Sequence, residues 1–496
     1  MNKNSNDYLV EYNELLSQAA FEQNGKFSFL ASPTLNKQET ITFLYKDIIN
    51  QPKKGPRKNL KHEIFGMYLG FIPRVCLMFF RLFRTSLKFR IKSLPENFIY
   101  VRTWLVPRSL KDSKLIDDYF RILLDELAVN HKIVAAFQPL KYDNLLYRFD
   151  KAQKPENYII PVGLLSLFDI LSILWEYIFS AKVILKKKYF FKTVEVTDHI
   201  NHSLKVDYFK LRSFQAYLDL AIARKLKKQK PKILLYVFEN QAWENAYLHV
   251  FNNTKTRTIG YQSSGFSLRF LNFFPSKIDN RKALFPDKIL TVGDNFKNTM
   301  MRYGNYPVTI ETFGALRFDF PVIDNCYKIH KPSKKIYKRI LYAFPVHFYQ
   351  YRKITNDLID VFQNYDIEVF LKYHPLYQNN IDENELPKNF KICSKIVKEK
   401  LKSTYDLVLF NDNSFGIESL IMGVKSYEYE FGEFYNENRL FDFELYEFQV
   451  NKNRLKSLRD EILDATLSKK LNEKYIQQYI GNMYSVYSGK HNQIFV

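Results

Sequence analysis

Cysteine is scarce. Three occur in 496 residues, Cys76, Cys326 and Cys393, far apart in sequence. Such spacing offers neither a metal-binding pair nor a disulfide framework, and it points to a reducing cytoplasm. The glycine signatures that cradle phosphates are also missing. The chain has no G-x-G-x-x-G and no G-x-x-x-x-G-K-[ST], which counts against a Rossmann dinucleotide site and a P-loop. The start, Met1-Asn2-Lys3-Asn4-Ser5-Asn6-Asp7, leads into no apolar core, so no secretory signal is expected. There is no repeat and no low-complexity tract. The strongly apolar run 64–83 is interrupted by Arg74 and Arg81 and broken by Pro73. An Arg at the centre of a spanning helix costs about 2.5–3.5 kcal/mol, so spanning is not expected.

What remains is large and basic. At roughly 100–200 residues per domain, the length asks for two or three domains. A hydrophobic content of 46% with 17% aromatics can fill such cores, which excludes a disordered chain. Lys and Arg total 74 against 52 Asp and Glu, a net charge of +22. That balance suits polyanionic company such as nucleic acid, anionic lipid or phosphorylated substrates. A genome rich in A and T, which inflates Lys, is the competing source of the excess. Residues 81–92 mix basic and bulky apolar side chains at helical spacing. They read either as an interfacial helix on anionic lipid or as a basic helix packed on the core. A second apolar run, 159–178, contains Asp169 and Glu176 and is followed by Lys186, Lys187 and Lys188. It reads as one or two buried or interfacial helices.

From Asn97 the texture becomes alternating strands and helices. Strands are expected at 98–105, 132–137, 231–238 and 256–261, with helices at 117–128 and 213–228. A second series runs through 288–292, 308–313, 339–344, 367–371, 390–393, 407–410 and 425–429, with closing helices over 455–480. This is a βαβ pattern and hence parallel sheet. The expected division is a helical, basic segment over 1–96, one α/β domain over 97–284 and a second over 285–496.

Two stretches carry chemistry. Lys372-Tyr373-His374-Pro375 closes one apolar strand, and Asn411-Asp412-Asn413-Ser414-Phe415-Gly416-Ile417-Glu418-Ser419 follows another. Strand ends facing helix starts are where open α/β sheets bind phosphorylated ligands. Asn413 or Ser414 is a natural N-cap for a helix through Met422. The free N–H groups and dipole of that helix would face a phosphate, and the Ser414 hydroxyl adds a donor. Glu418, one turn on, suits ribose hydroxyls. His374 can donate to a phosphate oxygen.

The order Gly314-Ala315-Leu316-Arg317-Phe318-Asp319, then Lys372 to Pro375, then Ser414 to Glu418 resembles glycosyltransferases of the GT-B fold. It is most similar to bacterial surface-carbohydrate biosynthesis proteins and the CDP-glycerol polymerising transferases. Bacterial Kdo transferases and sialyltransferases carry a similar H-P motif. The resemblance covers about residues 230–430. It implies two Rossmann-like domains facing a cleft, a nucleotide-sugar donor, and no bound metal or resident cofactor. Arg317, Lys372, His374 and the helix start at Ser414 would stabilise the leaving phosphate. Gly260 to Ser267 resembles a glycine-flanked loop in which relatives place a His where Ser263 stands. Here Gln262, Ser263 and Ser264 are candidates for positioning acceptor or donor. The base is expected from the first domain: Glu239 at a strand end, then Glu244 near Trp243.

The function implied is transfer of a sugar to a lipid-linked surface polysaccharide at the inner, cytoplasmic face of the membrane. The alternatives are a CDP-glycerol or CDP-ribitol phosphotransferase and a non-catalytic assembly protein. A nucleic-acid-binding protein is a third, although no recognised RNA or DNA module is present.

Overall fold

A computed structural model of the chain describes residues 4–21, 26–38, 66–111, 113–139, 142–191, 193–268, 270–279, 284–317, 339–345, 351–374, 381–393, 396, 401–411, 413–422, 424–430, 449–464, 483–485, 487, 489 and 494. The chain divides into two α/β units. The first comprises Met1–Ser263, Arg269–Arg317 and Tyr487–Val496, and the second Ser264–Leu268 and Phe318–Val486.

The first unit is built on seven strands: β1 (Phe98–Leu105), β2 (Lys132–Pro139), β3 (Tyr158–Ile159), β4 (Ile233–Val237), β5 (Arg257–Gln262), β6 (Lys288–Thr291) and β7 (Thr309–Thr312). Their spatial order is β7-β6-β5-β4-β1-β2-β3, and every pairing is parallel. All eight residues of β1 are buried, as expected for a strand covered by helices on both faces. The second unit carries β8 (Arg339–Ala343), β9 (Glu368–Lys372), β10 (Phe390–Ile392), β11 (Leu407–Phe410), β12 (Lys425–Tyr429) and β13 (Gln449–Val450). Their order is β10-β9-β8-β11-β12-β13, again all parallel. Each sheet therefore has a point where strand order reverses, between β4 and β1 in the first and between β8 and β11 in the second. The expected α/β class with two parallel sheets is the observed one.

The expected junction at 284/285 is not where the units part. β6 pairs with β5 (Lys288 opposite Ile259) and β7 pairs with β6, so both extend the first sheet. A strand's apolar pattern says that it is buried but not which sheet it joins. Nor do the described parts of 1–96 form a separate segment. The Asn13 side chain donates to the Phe274 carbonyl at 2.7 Å. Ser32 Oγ and the Thr34 N–H both donate to the Asp207 carboxylate at 2.8 Å. Lys37 Nζ meets Asp279 Oδ2 at 2.5 Å. The helix expected at 117–128 starts later, at Ile122. Before it, Asp117 Oδ1 accepts from the Tyr119 and Phe120 N–H groups at 2.8 and 2.5 Å and holds a tight turn. Of the closing helices, Lys452–Leu463 is present; residues 465–480 lie outside the described residues, as does the loop expected at 51–58.

The Lys37–Asp279 pair is a buried clamp, with Lys37 only 6% exposed. Burial raises the Asp279 carboxyl, but the Lys37 ammonium and the Ser276 and Ser17 hydrogen bonds outweigh it, so the net shift is downward. Stability from this group is present above the unfolded-chain value of about 3.9 and is lost as pH falls through the lower folded value. Asp279→Asn should lower stability by roughly 3–5 kcal/mol in urea unfolding at neutral pH, because it strands a buried ammonium. The gap from wild type should narrow on acidification below about pH 4. A loss under about 1 kcal/mol would mark the pair as an ordinary surface contact.

Candidate active site

Polar side chains collect at the C-terminal edges of both sheets, where the strand order reverses. Ligands of open α/β sheets bind at such places. In the first unit the reversal lies between β1 and β4, and Glu239 follows β4 by two residues. Its backbone is clamped, because Asn272 Nδ2 donates to the Glu239 carbonyl and Asn240 Nδ2 donates to the Asn272 carbonyl, both at 2.5 Å. Asn240 itself is left-handed, at φ 51°, a conformation Asn tolerates better than most residues. The Glu239 carboxylate accepts from Gln241 Nε2 at 2.8 Å. Burial pushes its pKa up to about 7, against the pull of the nearby Arg102 charge.

Glu244 has a different task. Its Oε1 accepts from the Glu239 and Gln241 backbone N–H groups, both at 2.9 Å. It is the N3 carboxylate of a capping box on helix Ala242–Phe251, and it is 1% exposed. In this geometry the second candidate base holds the turn on which Glu239 sits.

Arg317, expected with the phosphate ligands of the second domain, belongs to the first unit. Its Nε lies 3.9 Å from Asp118 Oδ2. The preceding loop is pinned by Tyr261, whose hydroxyl donates to the Gly314 carbonyl at 2.9 Å and accepts from the Leu316 N–H at 3.0 Å. Gly314 has φ 115°, and a Cβ there would fall 2.7 Å from the Tyr487 backbone, so the turn requires glycine. Arg108 and Arg121 also pair with Asp118. Beside this cluster, burial and the Glu239 charge raise the Tyr119 phenol to about 12. Phe318 and Asp319 lie outside the described residues.

The remaining loop candidates divide. Gln262 is fully buried, and its Oε1 accepts from the Val292 N–H at 3.3 Å, joining the ends of β5 and β6. Ser263 is buried with no protein partner for its hydroxyl among the described residues. Ser264 is half-buried and belongs to the second unit.

In the second unit the reversal lies between β8 and β11, and helix Ser414–Ile421 starts there. Asn413, not Ser414, is its N-cap: Asn413 Oδ1 accepts from the Gly416 N–H at 3.2 Å. The same amide donates to the carbonyls of Ala343 (2.8 Å), Phe344 (3.3 Å) and Asn411 (2.8 Å). Gly416 lets the helix close onto the strand, since a Cβ would meet the Phe410 ring at 2.0 Å. Ser414 Oγ donates to Glu418 Oε1 at 3.3 Å, so both lie on one helical face as the spacing required. Glu418 is 3% exposed. Lys372 ends β9 and places Nζ 5.0 Å from the Phe415 ring centre. Its reach spans β8, which separates β9 from β11. Tyr373 stacks on Phe344 at 4.9 Å, which commits that ring to packing. His374 follows it, half-buried. Pro375 and Asp412 lie outside the described residues. No group of three or more His, Cys, Asp or Glu side chains among the described residues is placed to hold a metal.

The sequence reading missed one group that shapes the first edge. Arg102 of β1 is fully buried, with its guanidinium 3.9 Å from the Trp104 ring and 3.7 Å from the Trp243 ring. Asp219 stands 3.7 Å away and accepts from Tyr247 Oη at 3.0 Å. The available signal was an arginine inside an otherwise apolar strand.

No protein-family model matches the sequence, and no curated protein matches it. Solved structures with a similar course include the glycotransferase of kitacinnamycin (TM-score 0.44, 10% identity, covering 81% of this chain and 99% of that one). Another is UDP-GlcNAc 2-epimerase from Neisseria meningitidis bound to UDP-GlcNAc (0.43, 10%, 80% and 98%). A third is the glycosyltransferase SnogD from Streptomyces nogalater (0.42, 12%, 81% and 99%). Likeness this distant does not bear on chemistry. If Asn413 organises the second edge, Asn413→Ala should cost about 2 kcal/mol or more in denaturant unfolding, from a lost cap and unpaired buried carbonyls. An unchanged midpoint would show that the cap is dispensable.

Proposed function

We propose that this chain is a glycosyltransferase of GT-B organisation that moves a sugar from a nucleotide-activated donor. The observation that carries the reading is the second sheet's reversal point, where a capped helix start, a lysine and a Ser–Glu pair coincide. The first-turn N–H groups of helix Ser414–Ile421 point along its axis and, with the dipole, favour a phosphate. Lys372 supplies a full positive charge near that helix start, and His374 and the Ser414 hydroxyl are further donors. Glu418 is assigned the ribose hydroxyls, exchanging its Ser414 bond for them.

In the reaction, an acceptor hydroxyl oxygen bonds to the anomeric carbon of the donor sugar. The bond from that carbon to the phosphate oxygen breaks, and its electron pair leaves with the nucleotide. Fixed donors around the phosphate lower the barrier because they act on charge that grows in the transition state. Glu239 takes the acceptor proton, and a carboxyl raised to about 7 is matched to that task near neutral pH. Arg317, beside Asp118 and Tyr119, is assigned to positioning on the acceptor side. The acceptor proposed is a lipid-linked surface oligosaccharide, in keeping with the +22 charge.

A thermal-shift series with CMP, CDP, UDP and GDP should raise the unfolding midpoint for at least one nucleotide. Lys372→Ala and His374→Ala should each weaken that nucleotide about tenfold without moving the ligand-free midpoint. No shift with any nucleotide would remove the reading. Glu239→Gln should lower kcat by about 10²–10⁴ while nucleotide affinity stays constant. Because the base form exists above its pKa, wild-type turnover should rise with pH through about 7, and the variant should lose that limb. A fully active Glu239→Gln enzyme would clear the residue of proton transfer. Product mass separates sugar transfer from alditol-phosphate transfer.

A further inference from the structure

Two helices of the first unit carry large apolar side chains on two opposite faces. Helix Phe71–Lys88 buries Phe71, Val75 and Leu82, and helix Leu167–Ser180 buries Ile170, Ile173, Leu174 and Tyr177. Phe71 and Tyr177 both stack on Tyr208, at 4.9 and 5.5 Å. The inner faces thus rest on one aromatic layer, and the outer faces point away from it. On the outside run Leu69, just before the first helix, then Ile72, Phe80 and Leu87 along it, and Phe168, Leu171, Trp175 and Phe179 along the other. The steps of three, four, seven and eight place each set in a single stripe. These residues are 49% to 78% exposed, and soluble surfaces rarely leave such a run uncovered.

Basic side chains outnumber acidic ones beside the stripes, although Lys88 pairs with Asp150 and Lys188 with Glu195. Helix Phe71–Lys88 contains Arg74, Arg81, Arg84 and Lys88 and no acidic residue. The two acids of helix Leu167–Ser180 are turned aside into ion pairs, Glu176 with Arg224 at 2.7 Å and Asp169 with Lys225 at 2.8 Å. Lys186, Lys187 and Lys188 follow, all exposed. The second helix also borders a cavity of about 710 Å³ lined by the paired Asp169, Arg224 and Lys225 and by Lys227 and Lys228.

We propose that these two outer faces are a docking surface for an anionic lipid bilayer. The helices lie flat, with the aromatic stripes in the acyl boundary and the basic side chains among the headgroups. By length and composition the stretch Gly66–Lys88, 23 residues with an 18-residue window of mean hydropathy 1.4, could cross a membrane. Crossing would strip Phe71 from Tyr208 and Phe209 and break the Ser86 hydroxyl bond to the Leu165 carbonyl. Lying in the interface preserves both.

The test uses the full chain with vesicles of phosphatidylcholine, with and without phosphatidylglycerol. Wild type should co-sediment with the anionic vesicles and release with salt. Of the three tryptophans, Trp104 and Trp243 are buried, so a vesicle-dependent blue shift in emission reports Trp175. Phe80→Ser/Trp175→Ser should weaken vesicle binding about tenfold or more, with unfolding midpoint and nucleotide affinity unchanged. Arg81→Glu/Arg84→Glu, which leaves the tryptophan in place, should abolish the blue shift. Failure of wild type to bind anionic vesicles at low salt would overturn the proposal. So would binding unaffected by either double variant, or a wild-type dimer that the serine variant converts to monomer. Nucleotide binding is a separate readout, so either result can fail alone.

Discussion

One buried amide organises the second unit. Asn413 caps helix Ser414–Ile421 and binds the carbonyls of Ala343, Phe344 and Asn411. It thereby fastens a helix start to the ends of β8 and β11, the two strands between which the sheet order reverses. A neutral side chain is suited to this work. An aspartate could cap but could not donate to these carbonyls, and a serine lacks the reach. The cap takes the Gly416 N–H, one of the donors at the helix start. Gly416 completes the arrangement by removing the Cβ that would collide with Phe410.

The first unit shows how two neighbouring carboxylates acquire different roles. Glu239 and Glu244 are five residues apart, and both are raised by burial. Glu244 spends its oxygen on two backbone N–H groups and fixes the turn. Glu239 is held by that turn and accepts from one side-chain amide. The Arg102 guanidinium, over the rings of Trp104 and Trp243, is the charge that moderates Glu239. Position is supplied by one acid and chemistry is proposed for the other.

Much of the fold was legible because buried parallel strands read as unbroken apolar runs. Phe98–Leu105, Leu407–Phe410 and Lys425–Tyr429 have the expected ends. Sheet membership was not legible. Nothing local distinguishes β6 and β7 from strands of the second sheet, since their partners lie tens of residues away. The same long-range problem hid the partner of Arg317, the docking of the N-terminal helices onto Phe274, Asp207 and Asp279, and the stacking of Arg102. The Ser414–Glu418 pair was legible because i,i+4 contact follows from helical geometry alone. The capping role of Glu244 was equally local, being a Gln-x-x-Glu box, but proximity to Trp243 drew the chemical reading.

The account stands on the second sheet's edge as a phosphate cradle. The most direct measurement is a crystal structure of the full chain with the nucleoside phosphate that most stabilises it. The account requires phosphate oxygens within hydrogen-bond distance of the Ser414 hydroxyl or the first N–H groups of its helix, with Lys372 alongside. A nucleotide bound elsewhere, with Asn413, Ser414 and Lys372 untouched, would contradict it.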